Sequence, residues 1–183
     1  MTVTTKQVLK ILYILSWIIF IGVCIEAGGF IVNSFFALVN PTTVKYLWLW
    51  QQVDLSGLFK YDTGHFFAET FIMSIVAVMR AYLFYQIIKI LHDKKLNMAQ
   101  PFSKEVGRFI FKISYITLLI GLFSCGGAKY AEWLVKQGVK MPDIQYLRLG
   151  GADVWLFMSV TLFVIAQIFK RGIEIQSENE LTV

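Results

Sequence analysis

The sequence predicts an all-α membrane protein, a four-transmembrane-helix bundle with a small extracytoplasmic cap, and three observations predict it. Of the 183 residues, 57% are hydrophobic and only 16% charged, against averages of about 45–50% and about 25% in soluble globular domains. The apolar residues gather in four runs, each long enough to supply the roughly 20 residues that a helix needs to cross a bilayer. The charged residues fall mainly in the gaps between those runs. A disordered chain lacks this much apolar surface, and two cysteines, Cys24 and Cys125, are too few for a disulfide-stapled scaffold. A net charge of +5 would suit nucleic acid only if the basic residues formed one face. Scattered as they are, they suit orientation and lipid contact, and no direct nucleic-acid binding is expected.

Residues 1–183 read as one integral membrane domain. The first span covers about residues 8–39, with Glu26 as its single acid, and stops at Asn40-Pro41. At 1.5 Å per residue it is about 48 Å long, so it tilts, breaks near Gly28-Gly29 or projects beyond the membrane. Lys6 and Lys10 crowd its start and no small-residue cleavage site follows, so it reads as a retained anchor. The second span, about 66–91, is interrupted by Glu69 and Arg80. The third, about 106–128, follows Ser103, which suits a helix N-cap. Beyond it Tyr130, Trp133, Leu134 and Val135 among charges suggest an amphipathic continuation to Gly138. The fourth, about 150–170, carries no charge from 154 to 169.

Lys and Arg number ten on the side of the N-terminus, middle loop and tail, and six on the other side. The positive-inside rule then puts both termini in the cytoplasm. Outside, residues 42–64 carry Tyr46, Trp48, Trp50, Phe59 and Tyr61, which suit an interfacial aromatic belt or, by alternation at 46, 48 and 50, a short strand. An internal echo joins the first and third spans: Ile21-Gly22 precedes Gly28-Gly29 as Ile120-Gly121 precedes Gly126-Gly127. Two pseudo-repeated helix pairs would produce it, and paired glycines also permit close helix approach.

Polar groups inside the spans are costly and mark the places to search. Counting depth from the span ends puts Glu26 near the outer leaflet, about 24 Å from Lys10. Glu69 and Asp153 open the second and fourth spans at a similar level, and His65 precedes Glu69 by one turn. Glu26, His65, Glu69 and Asp153 are thus the candidate ion or ligand site at an outer mouth, with carboxylates and an imidazole suited to a proton or divalent ion. The plainer reading is that Glu69 and Asp153 favour helix N-termini through the dipole and that His65 is interfacial. The same counting makes Arg80 and Gln167 the intramembrane polar residues, level with each other and too deep for Arg80 to meet Glu26 easily; Arg80 would bond Gln167, Ser114, Tyr115 or backbone carbonyls, or snorkel to the interface.

No HExxH, Walker A, GxGxxG or nucleophile-elbow context is present, so neither catalysis nor a cofactor is expected. Cys24 and Cys125 form no CxxC pair and are expected to be free thiols, although both fall near the outer ends of their helices.

After the fourth span the sequence changes to Gly172 and an acidic tail ending Glu178-Asn179-Glu180-Leu181-Thr182-Val183. With Pro101-Phe102 in the middle loop, these residues resemble the bacterial integral membrane proteins classed as domain of unknown function 2975. Gln100 departs from the Asn expected before that Pro-Phe. The resemblance implies no established activity. It does imply a membrane component of a regulatory pair, because such proteins are commonly encoded beside a small helix-turn-helix regulator. The expected protein is therefore a multi-pass component of the bacterial inner membrane, sensing or regulating through its loop and tail. A small ion- or proton-coupled transporter using Glu26, or a structural membrane subunit, are the alternatives.

Overall fold

The computed structural model describes residues 4–39, 53–93 and 102–180. Among them are five helices and no strand: α1 (Thr5–Val39), the short α2 (Ser56–Tyr61), α3 (Thr63–His92), α4 (Lys104–Lys136) and α5 (Ala152–Glu180). The four long ones are apolar and long enough to cross a membrane, as the hydropathy runs require. The 46–50 alternation, Pro41, Pro101 and Leu181, Thr182 and Val183 lie outside the described residues, as do the side chains of Asn179 and Glu180.

Helix starts follow local chemistry. Asp62 accepts the His65 backbone N–H at 2.8 Å and starts α3, and Ser103 accepts from Val106 N at 3.3 Å and starts α4, each satisfying an orphan donor of the first turn. α4 ends in a Schellman motif: Gly138 at φ +86° lets Val139 N reach Leu134 O at 3.1 Å, and the side chains of both residues are buried. α1 runs unbroken through Gly28-Gly29 for 35 residues, about 52 Å, so of the three expectations for its length the break is excluded.

The helices pack in series, α1 along α3, α3 against α4 and α4 against α5, while α1 and α5 scarcely touch. Tyr13 stacks on His92 and Phe20 packs against Tyr85, which fixes the antiparallel register of α1 on α3. Gly127 meets Ile72 and Leu149, and Gly121 meets Leu156 so closely that an added Cβ would stand 2.8 Å from that side chain. The echo in α1 matches only in part: Gly22, the counterpart of Gly121, faces open space, whereas Gly28 and its counterpart Gly126 both do. The Gly121 contact with Leu156 is therefore not repeated at Gly22.

These contacts settle relative depth. α5 begins opposite the stretch of α4 just beyond Gly121, leaving about three turns of α4 extending past it. Around those turns a small cap folds: Val53, Leu55 and Leu58 of the α2 segment, Phe66, Leu134, and Val139, Leu147 and Leu149 of the following loop are all buried. Gly57 allows α2 to lie against the Lys140 carbonyl, where a Cβ would be only 3.1 Å from the oxygen. Most hydroxyls within the spans close on their own helix, as Ser16 on Leu12 O, Ser34 on Phe30 O, Thr70 on Phe66 O and Thr117 on Ile113 O do, so they add little polarity to the interior.

Candidate functional site

Against that background a few polar atoms stand out as buried without a hydrogen-bond partner: Glu26 Oε1, both Glu69 carboxyl oxygens, Arg80 Nε and Ser124 Oγ. The carboxyl and guanidinium atoms among them fall in two layers, not one mouth.

The deeper layer joins three helices and the cap. Extending the α1–α3 register set by Tyr13 and His92 places Glu26 beside Met79 and Arg80. The charges acting on Arg80 are Glu26, which attracts it, and Arg148, which repels it. The Arg80 guanidinium lies 5.6 Å from the centroid of the Trp155 ring on α5, within the range of a cation–π contact. Arg148 Nε, from the loop before α5, lies 2.9 Å from Glu26 Oε1, an ionic contact without the alignment of a hydrogen bond. Arg80 therefore stands at the level of Glu26, although depth counting sets it too deep for that meeting, and away from Gln167, one of the partners expected for it. Gln167 is exposed in the middle of α5, about three turns from Trp155. Depth was misjudged because α5 starts lower than α4 ends, which brings its first turn, not its middle, to the level of Arg80.

Arg148 reaches Glu26 at a conformational cost. Leu149 N bonds Ile144 O at 3.2 Å and Arg148 N bonds Gln145 O at 3.1 Å, a second Schellman-type turn, with Arg148 at φ +59° where glycine is usual. A non-glycine residue there costs roughly 1–2 kcal/mol. Burial of Leu147 and Leu149 on either side holds the turn in place.

The second layer lies in the cap. His65 Nδ1 hydrogen-bonds the Tyr130 hydroxyl, and the imidazole is surrounded by Tyr61, Tyr130 and Trp133, with ring centroids 6.1, 5.9 and 5.5 Å away. One turn along α3, Glu69 is fully buried. Eleven residues separate Glu69 from Arg80, about 16 Å of helix, and the buried side chains between them on α3 include Met73, Val76 and Ala77.

Of the four residues expected at one mouth, His65 and Glu69 share a face as their spacing requires. Glu26 belongs to the deeper layer. Asp153 is exposed in the first turn of α5, where the helix dipole favours an acid. Among the described residues no three His, Cys, Asp or Glu side chains come together to hold a metal ion. Cys24 and Cys125 are free thiols.

Sequence reasoning missed Arg148, Trp155, Tyr130 and Trp133 as members of these layers. Arg148 entered only as one charge in a loop count. Tyr130 and Trp133 did carry a signal, since their i, i+3 spacing puts both on one side of α4.

At the opposite end of the bundle, Phe102 packs on Phe169 with centroids 5.2 Å apart and lies so close to Gly172 that a Cβ there would be 2.6 Å from its ring. Phe102 and Gly172 are two of the residues on which the family resemblance rested, and they are in contact. Residues 37–183 match the family described as protein of unknown function (DUF2975). The chain belongs to the DUF2975 family. No curated protein and no solved structure matches it. The DUF2975 match takes in the cap, Arg80, Arg148 and the Phe102–Gly172 contact, whereas Glu26 precedes it.

Proposed function

We propose that this DUF2975 protein is a sensory or regulatory component of the bacterial inner membrane, with both termini cytoplasmic and no catalytic activity of its own. One observation carries the reading. α5 is a single 29-residue helix, about 43 Å long, that begins at the cap loop and continues without a break into the tail. Its outer end follows the Arg148 turn held to Glu26, and near its other end Phe102 packs against Phe169 and Gly172. A change in the cap's packing therefore moves a rigid rod whose far end is the tail.

The signal enters through the cap layer of His65, Glu69, Tyr130 and Trp133, where a buried carboxyl without partners makes the packing sensitive to whatever reaches it. The partner is the small helix-turn-helix regulator that the family resemblance implies, engaged by Glu178 to Val183. The transporter alternative is less well supported, because a conduit needs a continuous polar path. Apolar side chains of α3 separate the two layers, and Gln167 faces outward instead of extending the deeper one.

The test is co-purification of the helix-turn-helix protein encoded beside this one, together with transcription from a promoter it controls. Full-length chain retaining the regulator, and a chain lacking Glu178 to Val183 losing it, is the expected result. Equal recovery by both chains refutes the tail's role, and unchanged transcription on deleting the whole protein refutes the regulatory reading.

A further inference from the structure

Where the middle loop and tail leave the bundle, α3 and α4 part around a cavity of about 280 Å³ lined by Gln86 and Lys89 of α3 and by Glu105, Arg108 and Lys112 of α4. That volume is just under the roughly 300–1,000 Å³ of drug-sized ligand sites and suits one small polar group. The cavity sits where the apolar spans give way to charge: Lys89 is the first charge on α3 after Arg80, and Lys112 the last on α4 before a charge-free run. Exposed rings gather at the same level. Tyr82, Tyr85 and Tyr115 are exposed within about two turns of these lysines, and the exposed Trp17 is level with Ile88 in the register that the Tyr13–His92 and Phe20–Tyr85 contacts set. A girdle of tyrosine and tryptophan marks the headgroup level of a bilayer.

Side chains from both helices have hydrogen-bonding capacity to spare there. Gln86 is only 8% exposed, yet its amide makes no hydrogen bond among the described residues, and a buried amide left in that state is costly. Lys89 and Lys112 are exposed at the rim, and neither makes an ion pair among the described residues. Lys112 Nζ lies 5.0 Å from the centroid of the Tyr82 ring, a contact that leaves its N–H groups free to donate. The other charges are engaged. Arg108 reaches Glu105 at 3.4 Å and the Lys104 carbonyl at 3.3 Å, and Asp93 has a contact of its own. The cavity thus offers a ligand two ammonium groups and an amide, drawn from two facing helices.

We propose that this cavity binds the phosphate of an anionic phosphate ester, as in the headgroup of phosphatidylglycerol or in soluble glycerol phosphate. Lys89 and Lys112 supply the charge, and Gln86 donates an amide N–H while its carbonyl accepts from a lysine. A phosphate suits this set because its oxygens point in several directions and take donors from α3 and α4 together. A phospholipid presents its phosphate at this depth without leaving the bilayer. A headgroup of net negative charge is attracted by both lysines, whereas the choline of phosphatidylcholine adds a positive charge that offsets its phosphate and weakens binding. The inference is independent of the regulatory reading, and either stands if the other fails.

The experiment uses full-length protein, delipidated in detergent and offered phosphatidylglycerol, phosphatidylcholine with matched acyl chains, or glycerol phosphate. Bound molecules are counted by native mass spectrometry, and the unfolding midpoint of each variant is the folding control. Retention of phosphatidylglycerol above phosphatidylcholine is expected. Lys89→Gln and Lys112→Gln should each lower it about five-fold, the size of one interfacial cation's attraction for an anionic headgroup. Lys170→Gln removes an exposed cation of the same end of the bundle that does not line the cavity, and should leave retention unchanged. Gln86→Leu keeps the charge and should also lower retention about five-fold, with an unfolding midpoint no lower than wild type because an unpaired buried amide is gone. Glycerol phosphate that binds and displaces phosphatidylglycerol supports the site with the free ester as a source, and its failure to bind beside a retained phosphatidylglycerol supports the lipid. Equal retention of the two lipids with no glycerol phosphate bound, binding unchanged in both lysine variants, or a loss in Lys170→Gln as large as theirs overturns the proposal.

Discussion

Arg148 Nε stands 2.9 Å from Glu26 Oε1, so a strained turn of the cap is tied to a residue of α1 that lies 122 positions earlier in the sequence. α1 and α5 scarcely touch otherwise. The ion pair and the Arg80–Trp155 contact are the links described across that side of the bundle.

The strain and the ion pair at Arg148 oppose each other and separate by substitution. Arg148→Ala keeps the left-handed backbone and loses the ion pair, and should lower stability by about 1 kcal/mol, the upper range for a partly exposed pair. Arg148→Gly loses the same pair but relieves the backbone, and should recover roughly 1 kcal/mol of that loss. Thermal unfolding in detergent checks the order. An alanine variant as stable as the glycine variant would show that the turn is not strained.

The glycines of α4 differ in what they touch, so substitution should sort them. Gly121→Ala puts a Cβ 2.8 Å from the Leu156 side chain and 3.1 Å from its backbone nitrogen, and overpacking of this kind costs about 1–3 kcal/mol. Gly126 faces open space, and Gly126→Ala should stabilise the helix by roughly 0.5–1 kcal/mol. Unfolding midpoints that move the same way for both variants would contradict this packing of α4 on α5.

Glu69 is buried with neither carboxyl oxygen hydrogen-bonded, an arrangement that stability alone does not favour. Replacing an unpaired buried polar group by an apolar one of similar volume is neutral or stabilising. Glu69→Met should therefore raise the unfolding midpoint and, if the cap signals as proposed, abolish the transcriptional response, the trade expected of a functional position. A destabilised Glu69→Met chain would mean that the carboxyl is held by favourable contacts.

Much of the architecture was legible from local pattern. The four spans, the Ser103 cap and the outward continuation of α4 follow from hydropathy, a hydroxyl at a helix start and an amphipathic stretch, each a matter of neighbouring residues. His65 and Glu69 sharing a face follows from helical spacing in the same way. Placing Glu26 with them failed, because relative depth depends on how one helix slides along another. Tyr13 against His92 and Gly121 against Leu156 set that register, and nothing in the hydropathy of either helix encodes it. The contact between Phe102 and Gly172 was visible only as two separate words of a family resemblance.

By itself the sequence determined that this protein is a four-helix membrane protein of the DUF2975 family and where its charges are scarce, because insertion into a bilayer depends on composition summed along one helix at a time. Only the tertiary structure decided that the scarce charges form two separate layers and that Arg148 belongs to the deeper one. Those outcomes depend on side-chain contacts between helices, which fix register to within a turn, and a shift of one turn moves a carboxylate by about 5 Å, enough to gain or lose a partner.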